Sequence, residues 1–363
     1  MSTLRSPLLL LLLALVPGAG ILAAADFPQE HSDLKPDPAV LYGRLDNGLR
    51  YAVMNNQQPK DKVSVRLLVE SGSTLESEAQ RGLAHFLEHL AFEGTTHYPP
   101  GTLVTQLQEL GLSFGADTNA HTSFDETVYK LDLPDAKPAT IATALTVLAD
   151  YAGGMLLQQA QVDSERGVIL AEMRDRNSPS FRLYQEVYGA MYRGQLTAQR
   201  FPIGLKETVG KADATLLKAY FDDWYRPERM AITVVGACDP QAVVGQITAA
   251  AGSLAARTPA KAEPVLGDLA IQDLGVCYRH EPEAEGIQVA IMRITPRARP
   301  HDSTTQRREE LLRSLAESVL AHRFQALIAK DAKGPLLDAG LENYQWLGNF
   351  HAGVVGAARP GQA

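Results

Sequence analysis

Two histidines and a glutamate lie within five residues of each other in the stretch GLAHFLEHLAFEG, residues 82–94. Residues four apart on a helix point in nearly the same direction, so His85 and His89 can bind one metal ion together. Two imidazoles and a carboxylate are a common set for catalytic zinc, which keeps a fourth position open for water. Glu88 lies on the same side and can take a proton from that water. H-x-x-E-H is the inverse of the H-E-x-x-H zinc motif.

The alternative for this stretch is an ordinary surface helix with incidental histidines. The residues around the three polar groups are apolar: Leu83, Phe86, Leu87 and Leu90. Such surroundings predict a partly buried helix, in which polar groups without partners are costly. The pattern therefore favours a metal site with a general base.

A third protein ligand has to come from another part of the chain. The stretch DSERGVILAEMRDR offers Glu165 and Glu172, which are seven residues apart. That spacing is about two helical turns, so both side chains share one helix face, roughly 10 Å apart along the axis. One carboxylate can bind the ion, and the other would orient a ligand from outside. Spacing alone leaves both assignments open.

Strands and helices that could position these residues follow one another without a regular βαβ order. LYGRLDNGLRYAVM has two strand-like pieces around Asp46-Asn47-Gly48, a hairpin turn signal. KVSVRLLVES alternates apolar and polar residues, which predicts a half-buried strand. Two short strands are predicted in SFGADTNAHTSFDETVYKLDLP, and further strands in MAITVVGAC, GVCYRHE and GIQVAIMRI. Helices are predicted in GTLVTQLQELG and over 135–152, 161–176, 212–224, 240–255 and 302–330. This mixture favours an α+β fold.

The first 25 residues differ from the rest. They combine Arg5, a short leucine-rich run and small residues before position 26, the layout of a cleavable secretory signal. The formal net charge is −8, and removing this segment, which holds one arginine and no acid, makes it −9. An acidic exported protein is a poor candidate for binding nucleic acid. Cys238 and Cys277 could pair in an oxidising compartment or remain separate thiols.

Assembled in this way, the sequence resembles the pitrilysin/insulinase family of zinc metallopeptidases, particularly its bacterial periplasmic members. The matching stretches are RGLAHFLEHLAFEGT, GADTNAHTSFDETVYKLDLP, ERGVILAEMR, PIGLKETV and YRPERMAITVVGACDP. The resemblance implies one Zn²⁺ held by His85, His89 and a distant glutamate, with Glu88 as the general base. An E-R-x-x-x-x-x-E pattern assigns the ligand role to Glu172 and a supporting role to Glu165, whereas the family's usual separation from the second histidine fits Glu165.

The stretch TNAHTS is similar to the family's edge strand that receives the substrate backbone. The resemblance places Asn119 and Ala120 at the contact positions. A peptide or unfolded polypeptide added there as an extra strand would be held through main-chain hydrogen bonds, with little side-chain selectivity.

The resemblance also implies a repeated domain, a mainly antiparallel sheet packed with helices, with one complete copy and part of a second. We expect a signal peptide over 1–25, a zinc-binding catalytic peptidase domain over 38–255, a linker over 256–269 and a partial second domain over 270–363. The last thirty residues are rich in Gly and Pro and show no clear periodicity. The second domain is therefore expected to lack its later strands, as in a chain truncated at its C-terminus relative to the family.

The leading hypothesis is an exported zinc-dependent metalloendopeptidase in the periplasm or outside the cell. Zinc-activated water, deprotonated by Glu88, would attack a peptide carbonyl. The alternative is a catalytically incompetent fragment or partner subunit that binds peptides and needs a complementary family chain or a second copy. The family's second half, which normally completes the site, is the feature that separates these hypotheses.

Overall fold

The computed structural model describes residues 26–113, 115, 117–270, 274–283, 286–298 and 300–359. The predicted secretory signal, residues 1–25, lies outside these described residues. Among the helices that the structure describes, none combines the length and the apolar character needed to cross a membrane.

A six-stranded sheet forms the first part of the fold. Its strands are β1 (Val40–Arg44), β2 (Arg50–Asn55), β3 (Val63–Val69), β4 (Thr118–Thr122), β5 (Thr127–Leu133) and β6 (Met230–Gly236). Their spatial order is β1-β2-β6-β3-β5-β4, and every neighbouring pair is antiparallel except β2 with β6. The predicted hairpin joins β1 to β2, and Gly48 adopts the positive φ of 89° that such a turn requires. β4 lies at one edge of the sheet.

The alternation of side chains along β3 determines which face of the sheet is buried. Val63, Val65, Leu67 and Val69 all point into the core, as predicted, and the residues between them are only half-buried. Successive strand residues face opposite sides, so the other face carries polar groups, among them an Arg66–Asp132 ion pair of 2.8 Å. The sheet is therefore covered by helices on its apolar face.

Nine α-helices are present in the described part of the chain. They are α1 (Leu83–Leu90), α2 (Leu103–Glu109), α3 (Pro138–Gly153), α4 (Gln159–Arg176), α5 (Pro179–Met191), α6 (Lys206–Lys211), α7 (Ala214–Trp224), α8 (Pro240–Ala251) and α9 (Thr304–Lys330). α3 and α8 pack side by side on the sheet, and α1 lies among α4, α7 and β4. All seven predicted helices, the one at residues 82–94 included, are confirmed, and α5 and α6 arise in a region that the sequence left unassigned.

A second, three-stranded sheet contains β7 (Ile287–Pro296), β8 (Leu336–Trp346) and β9 (Asn349–Ala358) in the order β7-β9-β8, all antiparallel. The expectation of no regular structure in the last thirty residues was wrong, because β8 and β9 form a hairpin there. The glycines and alanines of β9 hide the usual apolar alternation in that strand. The predicted strand GVCYRHE was also wrong, since residues 275–281 form no strand. α9 packs on β8, and Cys238 and Cys277 are both free.

Aromatic side chains join the second sheet to the rest of the protein. Phe124, Tyr188, Tyr192 and Trp346 pack against one another with ring centroids 4.4–5.6 Å apart. The Tyr192 hydroxyl and His351 Nε2 also form a buried hydrogen bond of 2.8 Å. β6 and α8, the last elements before residue 256, belong to the first sheet and its helices, and β7 begins the second sheet. The predicted linker over 256–269 fits this arrangement and remains a proposal.

Glu76 holds the first turn of α1. Its carboxylate oxygens accept hydrogen bonds of 2.9 Å from the backbone N–H groups of Gly82 and Ala84, which would otherwise be unpaired at the helix start. We expect Glu76→Ala to lower the free energy of unfolding by about 1–3 kcal/mol, because it leaves these buried donors without partners. Denaturant unfolding measures the effect. Glu109→Ala on α2, which is exposed, should stay within about 0.5 kcal/mol, and equal effects of the two substitutions would contradict the capping role.

Candidate metal centre

The helix α1 is buried on its apolar side and presents its polar residues to α4. Leu83, Phe86 and Leu87 have no exposed surface, and His85 is only 6% exposed. This burial argues against the surface-helix alternative. Because polar groups at such a position need partners, the neighbouring helix has to supply them.

Glu172 on α4 supplies the common partner. Its Oε2 atom lies 3.5 Å from His85 Nε2 and 3.3 Å from His89 Nε2. One ligand atom from each of the three residues lies within 4.8 Å of the others. Two imidazoles and one carboxylate converging on a single point are a donor set that fits zinc. The structure thus brings the three predicted ligands together, while their role as ligands remains a prediction.

Glu165 occupies the place of a supporting acid. Its Oε2 atom lies 3.2 Å from His89 Nδ1, the ring nitrogen that faces away from Glu172. A carboxylate on the second nitrogen fixes the tautomer of a metal-binding histidine. The two glutamates, two turns apart on α4, therefore meet opposite sides of the same imidazole.

The electrostatic surroundings differ between the two histidines. Burial, together with His89 and Arg176, lowers the pKa of His85 to about 3, so its imidazole is neutral at neutral pH. Burial alone would lower the pKa of His89, but the hydrogen bond to Glu165 and the charges of Glu88 and Glu172 outweigh it, and that pKa is raised. A proton and a metal ion compete for the same nitrogen, so protons compete with the metal more strongly at His89 than at His85.

Glu88 is held beside this group, with a different partner. Burial raises the pKa of Glu88, and a hydrogen bond of 2.6 Å from the Thr122 hydroxyl acts against that rise. In the described part of the chain, that hydroxyl is the hydrogen-bond partner of the carboxylate. Glu88 is therefore placed near the three converging donors without being one of them, as a general base requires.

The edge strand β4 carries the two residues predicted to contact substrate. Asn119 is exposed and Ala120 is half-buried. The Asn119 Oδ1 atom accepts a hydrogen bond of 2.9 Å from the Ala120 backbone N–H. A peptide that pairs with this N–H has to displace the amide side chain, so Asn119 covers the predicted contact in this conformation.

Two further residues at the site were not identified from the sequence. Arg176 Nη2 lies 2.6 Å from Glu172 Oε1, the oxygen that faces away from the histidines. Its spacing of four residues from Glu172 on α4 is a sequence signal that could have found it. Thr122 gives no such signal, because its contact with Glu88 depends on how β4 packs against α1.

We expect Glu172→Gln to weaken zinc binding more than Glu165→Gln. Glu172 Oε2 faces both Nε2 atoms, whereas Glu165 touches only the outer nitrogen of His89. Loss of such an outer partner typically costs about 10–100-fold in metal affinity, and loss of the carboxylate ligand should cost more. Competition titration against a zinc-binding dye measures both constants. A larger loss in the Glu165→Gln protein would reverse the assignment.

Two sequence models of one peptidase family match consecutive parts of the chain. The model described as Insulinase (Peptidase family M16) matches residues 51–201, and the model described as Peptidase M16 inactive domain matches residues 211–361.

Individual proteins agree with this result. "Probable zinc protease PqqL" of Haemophilus influenzae is 35% identical over 214 residues, which is 59% of this chain and 23% of that protein. Cytochrome b-c1 complex subunit 1 of Bos taurus is 28% identical over 282 residues, 77% of this chain and 54% of that protein. The crystal structure of the first half of the periplasmic protease PqqL from Escherichia coli matches 90% of this chain and 69% of its own, with 26% identity and a TM-score of 0.78. This chain spans less than a quarter of the Haemophilus protein.

Proposed function

Since this chain belongs to the insulinase family, peptidase family M16, we propose that it carries the zinc-binding site of an exported metalloendopeptidase acting on peptides or unfolded polypeptides. The observation that supports this proposal is the convergence of His85, His89 and Glu172, with Glu88 held beside them. Those donor types bind zinc in peptidases, and an additional carboxylate next to them is the group that such a reaction needs.

Each of these residues has a separate task in the proposed reaction. His85, His89 and Glu172 would hold the ion, and Glu165 would orient His89 through its second nitrogen. A bound zinc ion supplies two effects, a lowered pKa for a water molecule and polarisation of a substrate carbonyl. Glu88 would accept the proton of the attacking water and return it to the leaving amine.

The sheet edge at β4 is where we place the substrate. β4 pairs only with β5 among the described strands. Its outer edge can therefore accept an extended peptide once the Asn119 side chain leaves the Ala120 N–H. The end of this strand at Thr122 touches Glu88, and a peptide lying along Asn119 and Ala120 would therefore reach the base. The exported location is proposed from the layout of residues 1–25, and the similar Escherichia coli protein is titled a periplasmic protease.

A second candidate function is a peptide-binding subunit that needs a complementary chain to cut. The match of residues 211–361 to a domain described as inactive favours it. So do the leucines of α9, since Leu311, Leu312 and Leu315 are each more than half exposed. Apolar side chains grouped in this way on a surface often mark a contact with another protein.

Zinc content and cleavage of a fluorogenic peptide distinguish these functions. Chelator-sensitive cleavage by the isolated monomer would support a self-sufficient peptidase. Cleavage that appears only after a complementary family chain is added would support the subunit. A protein that shows no chelator-sensitive cleavage in either preparation would overturn the proposed function.

A further inference from the structure

Thr122 connects the edge strand to the general base. It is the last residue of β4, and its Oγ1 atom donates a hydrogen bond of 2.6 Å to Oε2 of Glu88 on α1. This distance is typical of a hydroxyl bound to an ionised carboxylate. The contact joins two elements 34 residues apart in the sequence.

The neighbouring hydroxyl leaves the Thr122 proton free for this contact. Thr122 faces Thr127 of β5 across the sheet, and their Oγ1 atoms are 3.5 Å apart. Thr127 is fully buried and donates its own proton to the Ser71 carbonyl at 2.9 Å. A threonine hydroxyl has only one proton to donate. The much shorter contact of Thr122 is with Glu88, so its proton goes to the carboxylate.

We propose that Thr122 is a positioning residue, which fixes the rotation of the Glu88 carboxylate and so presents the other oxygen, Oε1, for proton transfer. The inference rests on the proposed function, because it assigns the orientation of the proposed base. Because Thr122 lies on β4, the strand proposed to receive the peptide also orients the proposed base on α1.

The packing of Glu88 explains why one hydroxyl matters. In the described part of the chain, the carboxylate has Thr122 as its hydrogen-bond partner. Without that bond the half-buried carboxylate could rotate, and proton transfer depends on a donor and acceptor held within hydrogen-bond reach. In the described part of the chain, no hydrogen bond joins Thr122 to His85, His89 or Glu172, so the loss of its hydroxyl should leave the metal in place.

Thr122→Val tests this role, because valine keeps the shape of threonine and removes the hydroxyl. We expect kcat for peptide cleavage to fall about 10–100-fold, the range of one hydrogen bond to a charged group, with KM within about twofold and zinc content unchanged. Thr122→Ser restores the hydroxyl and should stay within about threefold of the parent protein. The assays use whichever preparation cleaves, the chain alone or with its complementary chain.

Thr118→Val is the matched control. Thr118 lies four residues earlier on the same strand, is 1% exposed, and its hydroxyl has no hydrogen-bond partner in the described part of the chain. Its replacement should leave kcat unchanged.

Equal kcat values for Thr122→Val and Thr118→Val would overturn the inference alone, and so would a Thr122→Ser protein as slow as Thr122→Val. A loss confined to KM would also overturn it, because that result would make Thr122 a peptide contact. If the parent protein shows no chelator-sensitive cleavage in either preparation, the proposed function falls, and the inference falls with it.

Discussion

Glu88→Gln is expected to abolish most peptide cleavage while the protein keeps its zinc. Glutamine has nearly the shape of glutamate and can still accept the hydrogen bond from Thr122, but it cannot take up a proton from water. General acid–base groups contribute about 10²–10⁴-fold to rate, so kcat should fall by that factor. The metal should stay, because the three converging donors are His85, His89 and Glu172.

Two measurements on the same purified protein check this result. Elemental analysis gives the zinc content, and a fluorogenic peptide gives the rate. Glu109→Gln, an exposed change on α2, serves as the control and should alter neither. Loss of zinc from the Glu88→Gln protein would show that Glu88 is a ligand, and an unchanged rate would show that it is not the base.

His85→Ala is expected to remove zinc altogether. His85 is buried, and its Nε2 atom lies 3.5 Å from Oε2 of Glu172. Alanine at this position takes away one of the three converging donors. The loss of affinity should exceed the roughly 10–100-fold typical of partners outside the ligand set. Cleavage should disappear together with the metal.

Thermal unfolding with and without added zinc measures metal binding without relying on peptide cleavage. A ligand that binds only the folded state stabilises it in proportion to the logarithm of its concentration over Kd. Zinc should therefore raise the Tm of the parent protein and leave that of His85→Ala unchanged. His97→Ala, a largely exposed histidine that pairs with Asp150 at 2.8 Å, should respond like the parent. If His85→Ala keeps the zinc-dependent rise, His85 is not a ligand.

The sequence located the elements of the first sheet well, because their signals are local. The alternation from Val63 to Val69 and the Asp46-Asn47-Gly48 turn each depend on neighbouring residues alone. The hairpin of β8 and β9 was missed for the opposite reason. The small residues of β9 carry little apolar alternation. That strand is stabilised by pairing with β7 on one side and β8 on the other.

Within the site, spacing determined that His85, Glu88 and His89 share one side of a helix, since helical geometry alone fixes the relation of residues three and four apart. It also determined that Glu165 and Glu172 share a face of α4, but not which of them would meet the histidines. That choice depends on how α4 crosses α1, and the structure turns Glu172 toward both Nε2 atoms and Glu165 toward the outer nitrogen of His89. The contact of Thr122 with Glu88 likewise exists only because β4 packs against α1. Tertiary packing brings such distant residues within hydrogen-bond reach. Their spacing along the chain therefore does not predict the contact.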